Sequence, residues 1–192
     1  MLHSGRFTAL LDACVLYPAP VRDLLLCLAE QQLYRPKWSE LIQEEWKRNL
    51  LQNRPDLKET RLNRTIEIMN LAFPDAEVNG YSSLIQNLTL PDKDDRHVLA
   101  AAIRSRSAVI VTFNLKDFPG KFLDDFQIES VHPDVFIVNL IELDEEKGIT
   151  AFNQQVGQLK NPYQTAEYVL EKLKKSNLNQ SVKLIREILK SR

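Results

Sequence analysis

Apolar and polar positions along the 192-residue chain fall into alternating strand-like and helix-like blocks. Residues 7–12, FTALLD, read as a strand closed by Asp12, and the apolar text runs on through ACVLYP until Pro18 and Pro20 stop it. Residues 20–31 place Val21, Leu24, Leu25 and Leu28 on one helical face, and residues 33–36 read as a short strand. Ser39 can cap a helix over 39–52, with Glu40 in its first turn. Ile42, Trp46 and Leu50 set the buried direction of that helix, and Leu41 extends it to one side. Glu45 then lies between Leu41 and Ile42, whereas Glu44 points nearly the opposite way, into solvent. A helix over 56–72 turns Lys58, Arg61 and Arg64 outward, and residues 79–90 form a short helix or an irregular segment.

Residues 91–118, PDKDDRHVLAAAIRSRSAVIVTFNLKDF, organise the rest: an acidic turn, a helix, a buried strand and a polar loop. Asp92 and Asp94 suit the helix start, where the dipole and the free N–H groups favour negative charge. Asp95 is different. On a helix turning about 100° per residue it falls on the stripe of Val98, Leu99 and Ala102, where a carboxylate is costly unless paired, hydrogen-bonded or metal-bound. SAVIVTF is a continuous β-branched run, expected of a strand covered on both faces. Asn114 and Asp117 follow its C-terminal end, where open α/β sheets place their ligands. FQIESVHP is a last strand and residues 133–142 a helix. Three more helices are expected near 149–160, 163–175 and 180–190, broken at Asn161-Pro162 and Ser176-Asn177. The expected division is a domain over 1–144 and a helical extension over 145–192.

Composition is that of an ordinary globular chain, 44% hydrophobic and 27% charged. Charge is unevenly split: residues 158–192 hold 8 Lys+Arg against 3 Asp+Glu, a net +5, and the remainder holds 17 against 23, a net −6. An acidic body suits the collection of cations, and a basic tail suits an anionic partner such as RNA. Within the tail Lys172, Lys174, Lys175, Lys183, Arg186 and Lys190 are the candidate phosphate contacts, unless the tail merely packs Val182, Ile185 and Leu189 on the body. Cys14 and Cys27 sit in apolar runs without zinc-ligand spacing and read as free thiols of a reducing compartment. Arg6 and Asp12 interrupt any signal-peptide pattern and no apolar run is long enough to span a bilayer, so a soluble cytoplasmic protein is expected. Five glycines leave no phosphate-binding loop.

Asp12, Glu45, Asp95, Asn114 and Asp117 would all reach one edge of a parallel sheet with covering helices. Carboxylates gathered without Arg or Lys repel one another, and a hard divalent cation with oxygen ligands is the usual remedy. Mg²⁺ or Mn²⁺ keeps waters that can be activated for attack on a phosphodiester. His3, His97 and His132 read as structural, His97 lying away from the buried stripe.

At these residues the chain resembles the PIN-domain family of VapC-type toxins, over about residues 7–130. LLDACVLYP resembles the opening strand with its first acid at Asp12, IQEEWKRNL the second acidic helix with Glu45, and DDRHVLAAAI with IVTFNLKDF the third acid, Asp95, and the closing motif. The resemblance implies a three-layer α/β/α fold around a central parallel sheet, with a C-terminal helical extension added here. It also implies a Mg²⁺- or Mn²⁺-dependent endoribonuclease, the toxin of a type II toxin–antitoxin system. RNA would be its substrate and an antitoxin its inhibitor. Apart from the resemblance, a homodimer is one of the assemblies that the sequence leaves open. Two positions depart from the family: Cys14 stands where many members have Asn, and Asn114 where many have a fourth Asp. An amide brings no charge, so Asn114 or Asp117 completes the site. Arg48, three residues after Glu45, is a candidate phosphate contact.

Three other readings compete. Asn114 favours a catalytically weak or inactive PIN-like module that binds RNA or protein. A receiver-type signalling domain wants a pair of acids closing the first strand, and FTALLDACV has one. A haloacid-dehalogenase-type phosphatase wants a DxD there.

Overall fold

The computed structural model describes residues 7–160 and 162–191; His3 and Asn161, on which two expectations rest, lie outside the described residues. The chain opens with strand β1 (Thr8–Leu11), a one-turn helix α1 (Ala13–Leu16) and helix α2 (Ala19–Glu30). Strand β2 (Arg35–Lys37) leads to α3 (Glu40–Asn53), α4 (Glu59–Ala72), the short α5 (Ser82–Ile85) and α6 (Arg96–Ser105). Strand β3 (Val109–Val111) is followed by three 3-10 turns within 115–126, then β4 (Glu129–Val131), α7 (Pro133–Leu143) and α8 (Glu145–Gln158). Helices α9 (Ala166–Lys175) and α10 (Asn179–Ser191) close the chain.

The four strands form one parallel sheet in the order β2-β1-β3-β4, with Ala9 level with both Pro36 and Val109. Consecutive residues of β1 and β3 are buried without alternation, so helices cover both faces and the architecture is α/β/α. A parallel sheet needs crossovers, and the chain supplies helices for β1 to β2 and β2 to β3 but only 3-10 turns for β3 to β4. Tyr34 and Phe136 meet edge-on at 5.0 Å under the sheet, and Trp38 and Trp46 fill the side towards α3.

Local chemistry explains where the elements start. Ser39 accepts the Ile42 N–H at 3.3 Å, as a capping serine should. Asp144 accepts the Lys147 N–H at 3.0 Å, so α8 begins at Glu145 and takes in Gly148, four residues before the expected start. A Cβ on Gly148 would stand 2.9 Å from Ile141 Cγ1; the glycine lets α7 and α8 touch. The division expected at 144/145 falls at the one-residue joint between those helices, and α8 packs back onto α2 and α7. Other readings shift: β2 begins at Arg35 rather than 33, α4 at Glu59 rather than 56, α9 at Ala166 rather than 163, the last strand is confined to Glu129–Val131, and Leu41 is 45% exposed instead of extending the buried side of α3. Among the described residues no helix is long and apolar enough to cross a membrane.

Candidate functional site

The chain leaves β1 towards β2 on one side of the sheet and leaves β3 towards β4 on the other, so the ends of β1 and β3 form a switch point. Asp12 stands there, its N–H donating to Val111 O at 3.1 Å. The residue is 4% exposed and both its oxygens are hydrogen-bonded, with Oδ1 keeping a free lone pair: Oδ1 accepts from Ala13 N at 2.6 Å, and Oδ2 from Thr112 Oγ1 at 2.7 Å and Cys14 Sγ at 3.1 Å. Asp12 is thus a helix cap and a member of the cluster at once. Burial pushes its carboxyl above the ordinary range, the bonds from Thr112 and Cys14 oppose this, and Glu45 adds to it.

Cys14, where the resemblance leads one to expect an asparagine, is another neutral hydrogen-bonding group. Its Sγ also accepts the Phe113 N–H at 3.2 Å and lies 3.4 Å from Thr112 Oγ1. Burial, then the charge of Asp12, pushes the thiol strongly upward, so it stays protonated. Thr112 was not among the expected site residues. A threonine inside a β-branched run looks like any strand former, and only the fold brings it to Asp12.

Glu45 is half-buried on α3, while Glu44 is exposed and paired with Lys47 at 2.7 Å. Glu45 Oε2 lies 3.4 Å from His97 Nε2. This corrects the expectation for His97: its side chain is 15% exposed, and its Nδ1 is buried without a hydrogen-bond partner among the described residues. Projection on α6 alone cannot show that α3 approaches that face.

Asp95 precedes the first turn of α6 but makes no capping bond with its side chain. It is half-buried, and its carboxyl is pushed up to about 7, first by burial, then by the charges of Asp12, Asp92, Asp117 and Glu45. Four expected acids, Asp12, Glu45, Asp95 and Asp117, therefore act on one another. Asp92, read as a helix-start charge, joins them while its Oδ1 accepts the Asp94 N–H at 2.9 Å. Asn114 is exposed; its N–H donates to Thr112 Oγ1 at 3.0 Å and its side chain has no hydrogen bond among the described residues. Asp117 is half-buried in the following 3-10 turn. Arg48 is exposed.

Among the described residues no Lys or Arg pairs with Asp12, Glu45, Asp95 or Asp117; His97 is the one base in ion-pair reach of the four. Nor do any three His, Cys, Asp or Glu side chains close into a ready-made ligand set. The donor chemistry fits a hard divalent cation: carboxylate oxygens in excess, little local positive charge, and a carboxyl driven towards neutrality by burial and by its acidic neighbours.

Comparison with known proteins bears on the family of the chain. The family model described as PIN domain matches residues 8–116, and that of the VapC50 C-terminal domain matches residues 133–187. Over 67 residues the chain is 51% identical to a protein of Mycobacterium tuberculosis named "Putative ribonuclease VapC50". That stretch is 35% of this chain and 39% of the relative's length. No solved structure matches the chain.

Proposed function

This chain belongs to the PIN-domain family, and on that premise we propose that it is a Mg²⁺- or Mn²⁺-dependent endoribonuclease, the toxin of a toxin–antitoxin pair. Asp12, Glu45 and Asp95 would hold the cation, with Asp117 supplying the fourth carboxylate and Asn114 a neutral oxygen beside it. The observation that carries the reading is Asp95: a carboxyl at a helix start that does not cap the helix and is raised to about 7 amid four other carboxylates. The cation would supply positive charge against both the carboxylates and the phosphate, and would acidify an attacking water. The chain's own groups do the rest. Thr112 and Cys14 fix the Asp12 carboxylate by donating to Oδ2, leaving Oδ1 on the Ala13 N–H. His97 stands against Glu45 and limits where its carboxylate can swing.

The proposed setting is the cytoplasm, with RNA as substrate, an antitoxin as inhibitor, residues 1–144 as the nuclease unit and 145–192 as its helical extension. A second reading, a PIN-like binding module with weak or no activity, is favoured by the neutral Asn114 and by the absence of a closed ligand set among the described residues. Incubation of the full chain with a generic RNA and Mn²⁺, with and without chelator, separates the two. Cleavage that stops with chelator, and is lost in Asp95→Asn of unchanged fold, supports the nuclease. Full activity of Asp95→Asn removes it.

A further inference from the structure

The β4 side of the acidic cluster carries features that the metal chemistry leaves unused. Phe113 follows Thr112 at the end of β3, and its ring meets that of His132 edge-on, with centroids 5.1 Å apart. Both residues are half-buried, at the C-terminal ends of neighbouring strands. His132 Nδ1 accepts the Asp134 N–H at 3.2 Å, which places the ring proton on Nε2. Nε2 has no hydrogen-bond partner among the described residues. The result is a fixed aromatic corner with one donor to spare, next in the chain to Thr112, which donates to the Asp12 carboxylate.

Asp134 ties the tail to the same place. Its carboxylate accepts from Gln180 N at 2.9 Å, Ser181 N at 2.8 Å and Ser181 Oγ at 2.7 Å. The start of α10 is thereby fastened two residues from His132, at the edge of the sheet that carries the acids. Lys174 and Lys175 are exposed just before the turn into α10; both act on Glu171 through space, but neither forms an ion pair among the described residues. The other tail cations are partly committed: Arg186 pairs with Glu167 and Glu171, and Lys172 lies over the Tyr168 ring.

We infer that Phe113 and His132 seat an unpaired nucleobase, and that Lys174 and Lys175 hold phosphates of the same single strand, on the β4 side of the cleavage point. The inference rests on the ribonuclease reading. Aromatic faces bind bases of single strands by stacking, and lysines add sequence-independent attraction to the backbone. The His132 Nε2–H can donate to a base acceptor or a 2′-hydroxyl, and an acidic catalytic edge needs such cations to hold an anionic strand at all.

Binding is measured by anisotropy of a labelled single-stranded RNA carrying 2-aminopurine, using the full-length chain with Asp95→Asn and Mg²⁺ to prevent turnover. Phe113→Leu keeps the volume and His132→Asn keeps a capping side chain, so both should fold, as circular dichroism will check. Each is expected to abolish most of the 2-aminopurine quenching and to weaken binding roughly tenfold. Lys174→Gln with Lys175→Gln is expected to retain quenching and to flatten the slope of log affinity against log salt by about 1.4, at about 0.7 for each phosphate no longer neutralised. Unchanged quenching in both ring variants, or an unchanged slope in the lysine variant, overturns the inference; the second result assigns the tail lysines to structure or to a protein partner. If the unsubstituted chain cleaves RNA while these variants bind normally, the ribonuclease reading stands and only the seat is lost. If it neither binds nor cleaves RNA, both fall.

Discussion

At the scale of single residues, the site is a set of carboxylates distinguished by what solvates them. Asp12 is solvated by the protein itself, through Thr112, Cys14 and the Ala13 N–H. Removing one donor while keeping shape, as in Thr112→Val, leaves a buried acceptor short of a partner, at about 1–3 kcal/mol. The urea midpoint should fall accordingly, and Mn²⁺ binding should require a higher pH because the Asp12 carboxyl rises further. A midpoint equal to wild type would mean that this bond contributes nothing. Glu44 and Glu45 offer an internal control. Glu45→Gln should cut metal affinity and cleavage, whereas Glu44→Gln breaks only an exposed pair with Lys47 and should leave both near wild type. The reverse result would break the assignment. Asp95 and Glu45 were legible in the sequence because a charge against an apolar stripe is costly and calls for a reason. Thr112 and His97 were not, because their roles arise between elements, and a projection of one helix or strand carries no information about its neighbour.

At the scale of elements, the helices and the central strands follow from apolar spacing and caps, and one boundary, the start of α8, moved for a capping reason. Asp144 set the start of α8 earlier than the apolar spacing did, and α1 is a single turn created by Asp12 as its cap. The docking of α10 could not be read at all, since Asp134 and Ser181 lie 47 residues apart. That joint is testable. Asp134→Ala strips three hydrogen bonds from a buried cap, and bonds to a charged group contribute about 1.5–3 kcal/mol each in isolation but overlap here. A total loss of about 3 kcal/mol is expected, with amide exchange accelerating in α10 well before β1 or β3. Uniform acceleration across the chain would mean that α10 and the sheet unfold as one unit. Gly148→Ala should cost about 1–3 kcal/mol by forcing α8 off Ile141, read as a lower melting temperature with the same denaturant slope.

At the scale of the whole molecule, an acidic edge is held together against its own repulsion, and that tension should appear in the pH dependence of stability. Asp95 is raised from 3.8 to about 7 and Asp12 is raised as well. A carboxyl whose folded pKa lies above its unfolded value contributes fully below the unfolded value, and the contribution is lost as pH rises through the folded one. Metal-free protein should therefore lose stability from about pH 4 to pH 7 on this account. His132 works the other way: burial lowers its pKa, so its contribution is present above 6.5 and is lost as pH falls. The two overlap, and Asp95→Asn separates them. The melting temperature of Asp95→Asn minus that of wild type, without metal, should grow between pH 5 and 8, because only wild type acquires the charge. Mn²⁺ should shrink that difference at pH 8, since a cation that binds only the folded state stabilises by RT ln(1 + [L]/Kd) and needs deprotonated ligands. At pH 5 the same Mn²⁺ should do little. A difference that stays flat with pH, or a Mn²⁺ effect equal in wild type and Asp95→Asn, would remove Asp95 from the metal site while leaving the fold and the family untouched.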